Sequence, residues 1–445
     1  MDKDQIKGRL LTDKELNGEI EGLAWMPAIV QEGEKKICQR CFNQQDFYPN
    51  ECLCAKECYY CLSCLKMGKI RTCDRLYYRE EDTKGDWKRE ATYLQWQGKL
   101  SSSQEKCAKE VLHAYQQGKD HLIWAVTGAG KTEMIFPLVD YALRSGDRVA
   151  IASPRVDVCN ELFPRFQSAF PQVTIKLMYG RLKEAYFRSP LTILTTHQLF
   201  RFREAFDLLV VDEVDAFPYL GNKSLEVASF RAVKKSGVRV ELTATPTRGQ
   251  EEAIQKNQLS YSMLPARYHR HSLPLPRMVW VGDWREKLRK GIVPKAFLKC
   301  LKECLEDGHD FLIFMPNVAL MQRLEELLHQ KFSNVTFTSV SSRDPERLLK
   351  VENMRRQIYG FLLTTTILER GVTFPGIDVM VLGSEDEVFT RSALVQIAGR
   401  VGRKSDCPTG KVWFLHEGKT KASQSAIRQI QSLNVLAREE GLIDD

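Results

Sequence analysis

The stretch Ala125-Val-Thr-Gly-Ala-Gly-Lys-Thr132 decides the fold of this 445-residue chain. It follows the apolar run 122–126, which predicts a strand, and it leads into residues 133–144, for which the pattern predicts a helix. Glycines 128 and 130 permit a tight turn whose N–H groups point at phosphates, and the helix N-terminus adds positive potential. The stretch therefore predicts a phosphate-binding loop in an α/β sheet. A plain glycine-rich turn is the alternative, because Ala125 replaces the usual first glycine.

The loop assigns roles to its side chains. Lys131 is expected to reach the β- and γ-phosphates of ATP, and the Thr132 hydroxyl is expected to hold Mg²⁺. The candidate ATP- and Mg²⁺-binding residues of the loop are Thr127, Gly128, Ala129, Gly130, Lys131 and Thr132.

A second motif, Asp212-Glu-Val-Asp215, follows the apolar run 208–211. Acids at the carboxyl end of a buried strand lie where open α/β sheets bind ligands. We expect Asp212 to position Mg²⁺ and Glu213 to polarise the attacking water. The alternative is an acidic loop that caps a helix, which the upstream phosphate loop disfavours. Thr243-Ala-Thr-Pro246 follows the predicted strand 238–242 and gains meaning from its position.

The motif Gln396-Ile-Ala-Gly-Arg-Val-Gly-Arg403 predicts a helix with Arg400 and Arg403 on one face. If a second domain closes on the first, both can act as arginine fingers that stabilise transition-state charge. We therefore count Gln396, Arg400 and Arg403 with Lys131 and the two acids as candidate catalytic residues. The alternative is a basic, solvated helix.

Apolar β-branched runs alternate with amphipathic stretches from about residue 100 onward, which is typical of parallel sheets with crossover helices. We predict two α/β domains in tandem, at residues 99–265 and 296–445. The proline-containing segment 266–295 is interpreted as a linker with a short strand at 278–281. Residues 1–98 form a separate cysteine-rich N-terminal region.

Composition sets only loose limits on function. Hydrophobic content is 43%, charged content is 27% and the net charge is +8, which permits a polyanionic partner without requiring one. The charged N-terminus and the lack of a long apolar run favour a cytoplasmic protein without a transmembrane helix.

Eight of the 13 cysteines fall within residues 38–73. Cys38-x₂-Cys41 and Cys61-x₂-Cys64 have the spacing of a structural Cys₄ zinc site in a module at about 36–75. Cys58 is a competing ligand, because Cys58-x₂-Cys61 is also a valid pair. The remaining cysteines of the cluster leave open a second metal or spare buried thiols; they are Cys52, Cys54 and Cys73.

The order of these motifs resembles that of superfamily-two helicases, over residues from about 100 to 445, and this resemblance implies that the two α/β domains are RecA-like. The resemblance implies that Gln104 reads adenine and that three further segments contact the nucleic-acid backbone: Ser153-Pro-Arg155, Thr195-Thr-His-Gln198 and the start of Thr364-Thr-Thr-Ile-Leu-Glu-Arg-Gly371. The residues carried over as nucleic-acid contacts are Ser153, Pro154, Arg155, Thr196, His197, Thr365 and Thr366.

The strings AVTGAGKTEM, ASPRVDVC, VDEVDAFPY, TTTILERGVTFP and QIAGRVGR, with the CQRC and YYCLSC pairs, resemble the ComFA family of late-competence DNA-uptake ATPases. This resemblance implies ATP-driven translocation of incoming single-stranded DNA during natural competence. It also implies work at the inner face of the cell membrane, with a competence membrane channel and a phosphoribosyltransferase-like competence protein as partners. The oligomeric state stays open, a homo-oligomer included.

Two other functions remain as alternatives at this point. One is a helicase that unwinds duplex DNA or RNA, since the core motifs do not separate unwinding from translocation. The other is a non-enzymatic zinc scaffold, which the intact catalytic residue types disfavour.

Overall fold

The computed structural model describes residues 3–17, 21–54, 57–80, 84, 85, 87, 90–180, 185–369, 374, 376–403 and 405–444. Contacts divide the chain into two units. Unit 1 comprises residues up to 123 together with 132–262, and unit 2 comprises residues 124–131 together with those from 263 onward. The phosphate loop is therefore grouped by its contacts with unit 2.

The N-terminal region is built of short antiparallel strands. Its elements are β1 (Leu11–Thr12), α1 (Asp13–Leu16), β2 (Ala24–Pro27), β3 (Ile29–Glu32), β4 (Lys35–Cys38), β5 (Phe47–Pro49), β6 (Tyr59–Cys61) and β7 (Arg75–Tyr78). Strand β7 lies between β1 and β2, while β3 with β4 and β5 with β6 form antiparallel pairs. The strand ends at Cys38 and Cys61 present the first cysteine of each predicted zinc pair.

The first α/β domain contains a seven-stranded sheet in the order β10-β11-β9-β12-β13-β8-β14. The strands are β8 (His121–Ala125), β9 (Val149–Ser153), β10 (Ile175–Met178), β11 (Leu191–Thr195), β12 (Phe206–Val211), β13 (Val233–Thr243) and β14 (Ser260–Leu264). Its helices are α2 (Ser102–Gln116), α3 (Lys131–Met134), α4 (Phe136–Arg144), α5 (Val156–Ala169), α6 (Lys223–Ala232) and α7 (Arg248–Gln255). The pairs from β10 to β13 are parallel, and β9 and β11 are buried along their whole length, as the apolar runs predict.

The second α/β domain contains a six-stranded parallel sheet in the order β15-β20-β19-β16-β18-β17. The strands are β15 (Arg277–Trp280), β16 (Asp310–Phe314), β17 (Phe337–Val340), β18 (Phe361–Thr364), β19 (Ile377–Leu382) and β20 (Val412–His416). Its helices are α8 (Trp284–Arg289), α9 (Lys295–Asp307), α10 (Val318–His329), α11 (Arg347–Arg355), α12 (Arg391–Ala398) and α13 (Lys421–Glu439). The fold class predicted from the sequence, two RecA-like parallel-sheet domains, is confirmed.

The single helix predicted over 133–144 is instead two helices, α3 and α4, which are separated at Ile135. Pro137 has no N–H to donate to the carbonyl of Glu133, so the helical hydrogen-bond ladder is interrupted there. Proline then stands in the first turn of α4, where a missing N–H costs nothing.

The segment 266–295, interpreted as a linker, differs from that interpretation over most of its length. Strand β15 forms the edge of the second sheet, and Trp284 and Leu288 of α8 are fully buried in the second core. Residues 266–276 are its longest stretch outside helices and strands. No helix in the part of the chain that the structure describes has the length and apolar character to cross a bilayer.

Candidate ATP site and cysteine clusters

The phosphate loop has the backbone that its glycines predict. Gly128 and Gly130 have φ of +81° and +75°, which a side chain would make costly. Ala125, at the position of the usual first glycine, is the fully buried last residue of β8, so alanine fits there without strain. Lys131 begins α3 and donates from Nζ to the carbonyls of Ala125 (2.9 Å) and Val126 (3.2 Å). The lysine ammonium therefore lies over the loop that it is predicted to serve.

The acidic motif lies directly after β12, as predicted. The N–H of Asp212 donates to Ala152 O at 2.8 Å, and the N–H of Glu213 donates to Asp212 Oδ1 at 2.8 Å. Glu213 has φ of +55°, a conformation that non-glycine residues seldom adopt and that is often found at functional sites. The two acids therefore lie at the carboxyl end of β12, in a turn with an unusual backbone conformation.

A hydrogen bond joins the acidic motif to the Thr243–Pro246 motif. Thr245 Oγ1 donates to Asp215 Oδ2 at 2.5 Å, and the N–H of Thr245 donates to Thr243 Oγ1 at 3.0 Å. Asp215 and Thr245 are 4% and 3% exposed, so this bond is shielded from water. Neither residue was among the predicted site residues, although both lie inside motifs that the sequence displays.

Arg400 and Arg403 do not lie on a helix, which corrects the prediction. Helix α12 ends at Ala398, and Gly402 has φ of +67°, a left-handed conformation that cannot continue a right-handed helix. Arg400 is 1% exposed, and Arg403 Nε donates to Gly399 O at 3.0 Å. Both arginines are thus held in a tight loop after α12, while Gln396 is buried on α12 itself.

Arg267 organises this loop, and sequence reasoning missed it. Its guanidinium donates to Thr127 O (3.1 Å), Gly399 O (3.0 Å), Val401 O (2.7 Å) and Gly402 O. Arg267 is fully buried, and this burial lowers the pKa of its guanidinium.

Within unit 2, the Arg267 side chain therefore connects the phosphate loop to the loop after α12 that carries Arg400 and Arg403, called here the arginine loop. The same contact explains why residue 399 is a glycine, because a Cβ at that position would lie 1.8 Å from Thr127 Oγ1. Arg267 stands in a proline-rich stretch without motif spacing, so only the folded contacts identify it.

Gln104 lies in the first turn of α2, at the third helical position. Its side-chain oxygen accepts from the N–H of Ser101 at 2.8 Å, and its own N–H donates to Ser101 Oγ at 3.3 Å. This reciprocal capping fixes the start of the helix and holds the glutamine in a buried position.

The residues carried over as nucleic-acid contacts differ in exposure. Ser153, Pro154 and Thr196 are buried, Arg155, Thr365 and Thr366 are half-buried, and His197 is exposed. Gly371, at the end of the third segment, lies outside the described residues.

The four predicted zinc ligands come together and are all buried: Cys38, Cys41, Cys61 and Cys64. Cys38 and Cys64 Sγ lie 3.7 Å apart, and Cys41 and Cys61 Sγ lie 3.5 Å apart. A tetrahedral site with Zn–S of about 2.3 Å has sulfur separations of about 3.8 Å, so the cage matches the size of zinc. Cys58, the competing ligand, lies instead in a second group of four cysteines.

The first cage is part of the core of the first domain. One hydrophobic cluster contains its four cysteines together with Phe200, Phe206 and Val211. Arg231, from the end of α6, donates to Gln39 O (2.6 Å) and Arg40 O (2.9 Å) within the first cysteine pair.

The same guanidinium also donates to Phe200 O (2.9 Å) and Phe202 O (3.2 Å). The cysteine cage and the first α/β domain are therefore joined by shared apolar packing and by one arginine.

The cage also borders a predicted nucleic-acid segment. Arg201 closes the 3₁₀ turn Thr196–Arg201 and donates to Met67 O at 3.1 Å, just beyond Cys64. Partial burial, together with the nearby ammonium of Lys66, lowers the pKa of His197. The turn with His197 thus lies beside basic residues of the N-terminal region.

Three family models match the chain, and their boundaries agree with this architecture. Residues 6–78 match the competence protein ComFA N-terminal domain, residues 97–248 match the type III restriction enzyme res subunit, and residues 295–405 match the helicase conserved C-terminal domain.

Two curated relatives match along most of the chain. A competence protein ComFA of Streptococcus pneumoniae is 40% identical over 98% of both chains. A competence protein ComFA of Bacillus subtilis is 41% identical over 90% of this chain and 86% of its own. The chain belongs to the ComFA family of competence proteins. The N-terminal cysteine region is therefore a part of this ComFA chain with a family model of its own.

A solved structure supports the fold of the ComFA core. Saccharomyces cerevisiae Dbp5 bound to RNA and ADP BeF3 superposes with a TM-score of 0.57 at 16% identity, covering 75% of this chain and 88% of that chain. Such low identity establishes the fold alone. The helicase family models and the ComFA relatives identify this chain as an ATP-hydrolysing enzyme with superfamily-two helicase domains, which excludes the non-enzymatic scaffold.

Proposed function

We propose that this chain is an ATP-driven translocase of single-stranded DNA that drives the import of transforming DNA during natural competence. The observation that carries the proposal is the 40% identity to a competence protein over 98% of the chain, which includes both helicase domains and the cysteine region. A helicase-type ATPase in a competence family needs a nucleic-acid track, and single-stranded DNA is the form that the family resemblance implies.

The proposed chemistry assigns one role to each side chain. Lys131 neutralises the β- and γ-phosphates, and Thr132 and Asp212 hold Mg²⁺. Glu213, which stands in the turn after β12 with a positive φ, orients the attacking water. Arg400 and Arg403 neutralise charge that develops on the transferred phosphoryl group.

The other candidates act around this centre. The loop Thr127–Gly130 offers its N–H groups to the phosphates, Gln104 reads the adenine, and Gln396 orients the arginine loop. The support for Gln396 is its burial on α12, three residues before that loop begins.

We propose a structural Zn²⁺ on Cys38, Cys41, Cys61 and Cys64. Four thiolates fill a tetrahedral site and leave no open position, so the ion contributes folding energy and no catalysis. Because these cysteines belong to the core cluster of the first domain, the ion would stabilise the part of the core that packs against the 3₁₀ turn Thr196–Arg201.

Within unit 1, the proposed DNA contacts lie on the helicase segments and on the N-terminal region. The ammonium of Lys66 near His197 supports the contacts on the N-terminal region, because a cationic side chain attracts phosphates. Tyr48 is 51% exposed on the same region and offers a ring for base stacking. The remaining proposed contacts are Ser153, Pro154, Arg155, Thr196, Thr365 and Thr366.

The proposed site of work is the inner face of the cytoplasmic membrane, where the chain docks on a competence channel and a phosphoribosyltransferase-like protein. This part rests on the family resemblance. It is tested by co-purification of the chain with each partner from competent cells.

The decisive experiment is the ATPase rate of the purified chain against single-stranded DNA, duplex DNA and RNA, each over a salt series. We expect single-stranded DNA to raise the rate, and the stimulation to fall as salt rises, because phosphate contacts release counterions. Lys131→Ala should lower turnover roughly 100-fold or more, since a charge that stabilises the transition state is lost. Lys302→Ala, an exposed lysine on α9, is the matched control and should turn over normally.

Two results would contradict the proposal. If single-stranded DNA leaves the ATPase rate unchanged, the chain is not a translocase of single-stranded DNA. Strand displacement on a forked duplex at a rate comparable to ATP turnover favours the duplex-unwinding alternative instead.

A further inference from the structure

The second group of four cysteines lies at the tip of the N-terminal region. It consists of Cys52, Cys54, Cys58 and Cys73, whose sulfur atoms all lie within 4.8 Å of one another. Three of them are on the β5–β6 connection, and Cys73 is in the turn before β7. Four thiols converge here from two separate stretches of chain.

The sulfur separations fit a tetrahedral metal site. Cys73 Sγ lies 3.6 Å from Cys52 Sγ and 3.7 Å from Cys58 Sγ. A disulfide requires about 2.0 Å between sulfurs, whereas a tetrahedral zinc site requires about 3.8 Å. These distances are close to those of the first cage, 3.5 and 3.7 Å.

Backbone hydrogen bonds hold the ligand-bearing segments in place. The N–H of Asn50 donates to Cys58 O at 2.7 Å, which closes the connection between β5 and β6. The N–H of Thr72 donates to Tyr59 O at 2.9 Å, which fixes the Cys73 turn beside it. The group is therefore positioned by secondary structure on both sides.

Hydrogen-bond donors face the sulfur atoms, as metal-bound thiolates require. Asn50 Nδ2 lies 3.7 Å from Cys58 Sγ, and Arg71 Nη1 lies 3.9 Å from Cys52 Sγ. The first cage also has an asparagine amide that faces a sulfur atom, with Asn43 Nδ2 at 3.7 Å from Cys61 Sγ. Asp74 fixes the Arg71 guanidinium through Oδ1, at 2.9 Å from Nε and 2.6 Å from Nη2.

The two groups alternate along the chain. Cys38 and Cys41 of the first cage are followed by Cys52, Cys54 and Cys58 of the second, then Cys61 and Cys64 of the first, then Cys73 of the second. Each cage thus closes a loop that contains ligands of the other.

We propose that Cys52, Cys54, Cys58 and Cys73 bind a second Zn²⁺ ion. Each thiol loses its proton on binding, and four sulfur ligands complete the coordination. The ion crosslinks the β5–β6 connection to the turn before β7 and so rigidifies the tip. Because Cys52 and Cys54 are half-buried and Cys73 is exposed, whereas the first cage is buried, a chelator removes this ion first.

The test is the zinc content of the full-length chain, purified under reducing conditions and measured by elemental analysis. We expect two zinc ions per chain in the wild type and one in Cys73→Ser and in Cys58→Ser. Cys407→Ser, a half-buried cysteine outside both groups, is the matched control and should retain two. A competing chelator should release the two ions in two phases, and Cys73→Ser should lose the fast phase.

The wild-type count keeps the proposal falsifiable even if a variant fails to fold. One zinc per wild-type chain overturns it, as does a Cys52–Cys73 disulfide found by mass spectrometry in the reduced preparation. Two zinc ions in Cys73→Ser also overturn it, because the second ion then has other ligands. None of these outcomes depends on ATPase activity, so the proposed translocation is tested separately.

Discussion

Replacing Arg231 with methionine should weaken the attachment of the first cysteine cage to the first α/β domain. The guanidinium donates four hydrogen bonds of 2.6–3.2 Å, two to carbonyls of the first cysteine pair and two to carbonyls beside the 3₁₀ turn Thr196–Arg201. It also lies 4.5 Å over the ring of Phe42. Methionine keeps the apolar stem and removes all of these interactions.

The magnitude follows from the number and the surroundings of these bonds. A hydrogen bond to a charged group contributes about 1.5–3 kcal/mol when shielded, but Arg231 is half-buried and water replaces part of each bond. At about 1 kcal/mol per bond, the free energy of unfolding should fall by roughly 3–4 kcal/mol. For a unit of this size, that lowers the melting temperature by roughly 6–16 °C.

The assay is thermal and urea unfolding of the full chain, with zinc release followed in the same samples. Arg248→Met is the control, because its side chain is 91% exposed and pairs locally with Glu252 near α7's first turn. In Arg231→Met, zinc release should accelerate and stimulation by single-stranded DNA should fall more than basal turnover. A destabilisation below about 1 kcal/mol relative to Arg248→Met would refute the idea that this arginine couples the cage to the domain.

Two further predictions concern buried groups in the two units. His121 is fully buried between two serine hydroxyls, and burial lowers its pKa to about 4, below the ordinary value of 6.5. The fold favours the neutral form of His121. Its contribution to the free energy of unfolding is therefore fully present above about pH 6.5 and should be lost as pH falls toward 4, by about 3 kcal/mol in total. In His121→Asn, the free energy of unfolding measured with urea should depend less on pH between 6.5 and 4. A pH dependence equal to that of the wild type would contradict the role given to His121. Gly399→Ala should lower ATP turnover at least tenfold, because the new Cβ collides with Thr127 Oγ1. Gly418→Ala, which has open space around it, should be neutral in the same steady-state assay.

Much of the architecture could be predicted because its signals are local. The phosphate loop and the acidic motif each follow a buried strand, and a strand end fixes where the next residues lie. Local pattern also misled, at the arginine motif among other places. The spacing of Arg400 and Arg403 fits a helix face, but Gly402 adopts a positive φ, and the carbonyl of Pro408 packs where a Cβ would otherwise stand.

Other features depend on contacts between residues that are distant in sequence. The spacing of residues within a motif does not reveal such contacts. Arg267 has no motif around it, and its role follows only from the carbonyls that it bonds across more than 130 positions. The cysteines show the same limit, because the x₂ spacing permits Cys58 to pair with Cys61 equally well. Only the fold assigns Cys58 to the second group.

The way in which the cysteine region is attached limits how it can influence the ATPase. An appended module on a flexible tether could bind DNA without sensing the state of the ATPase. Here the first cage shares the core cluster with strand β12, whose last residue, Val211, directly precedes Asp212. Close-packed cores transmit displacement rather than absorb it. A nucleic-acid strand bound beside Lys66 would therefore act on the same packed core that positions the acidic motif, which gives a physical route for DNA to change the rate of ATP hydrolysis.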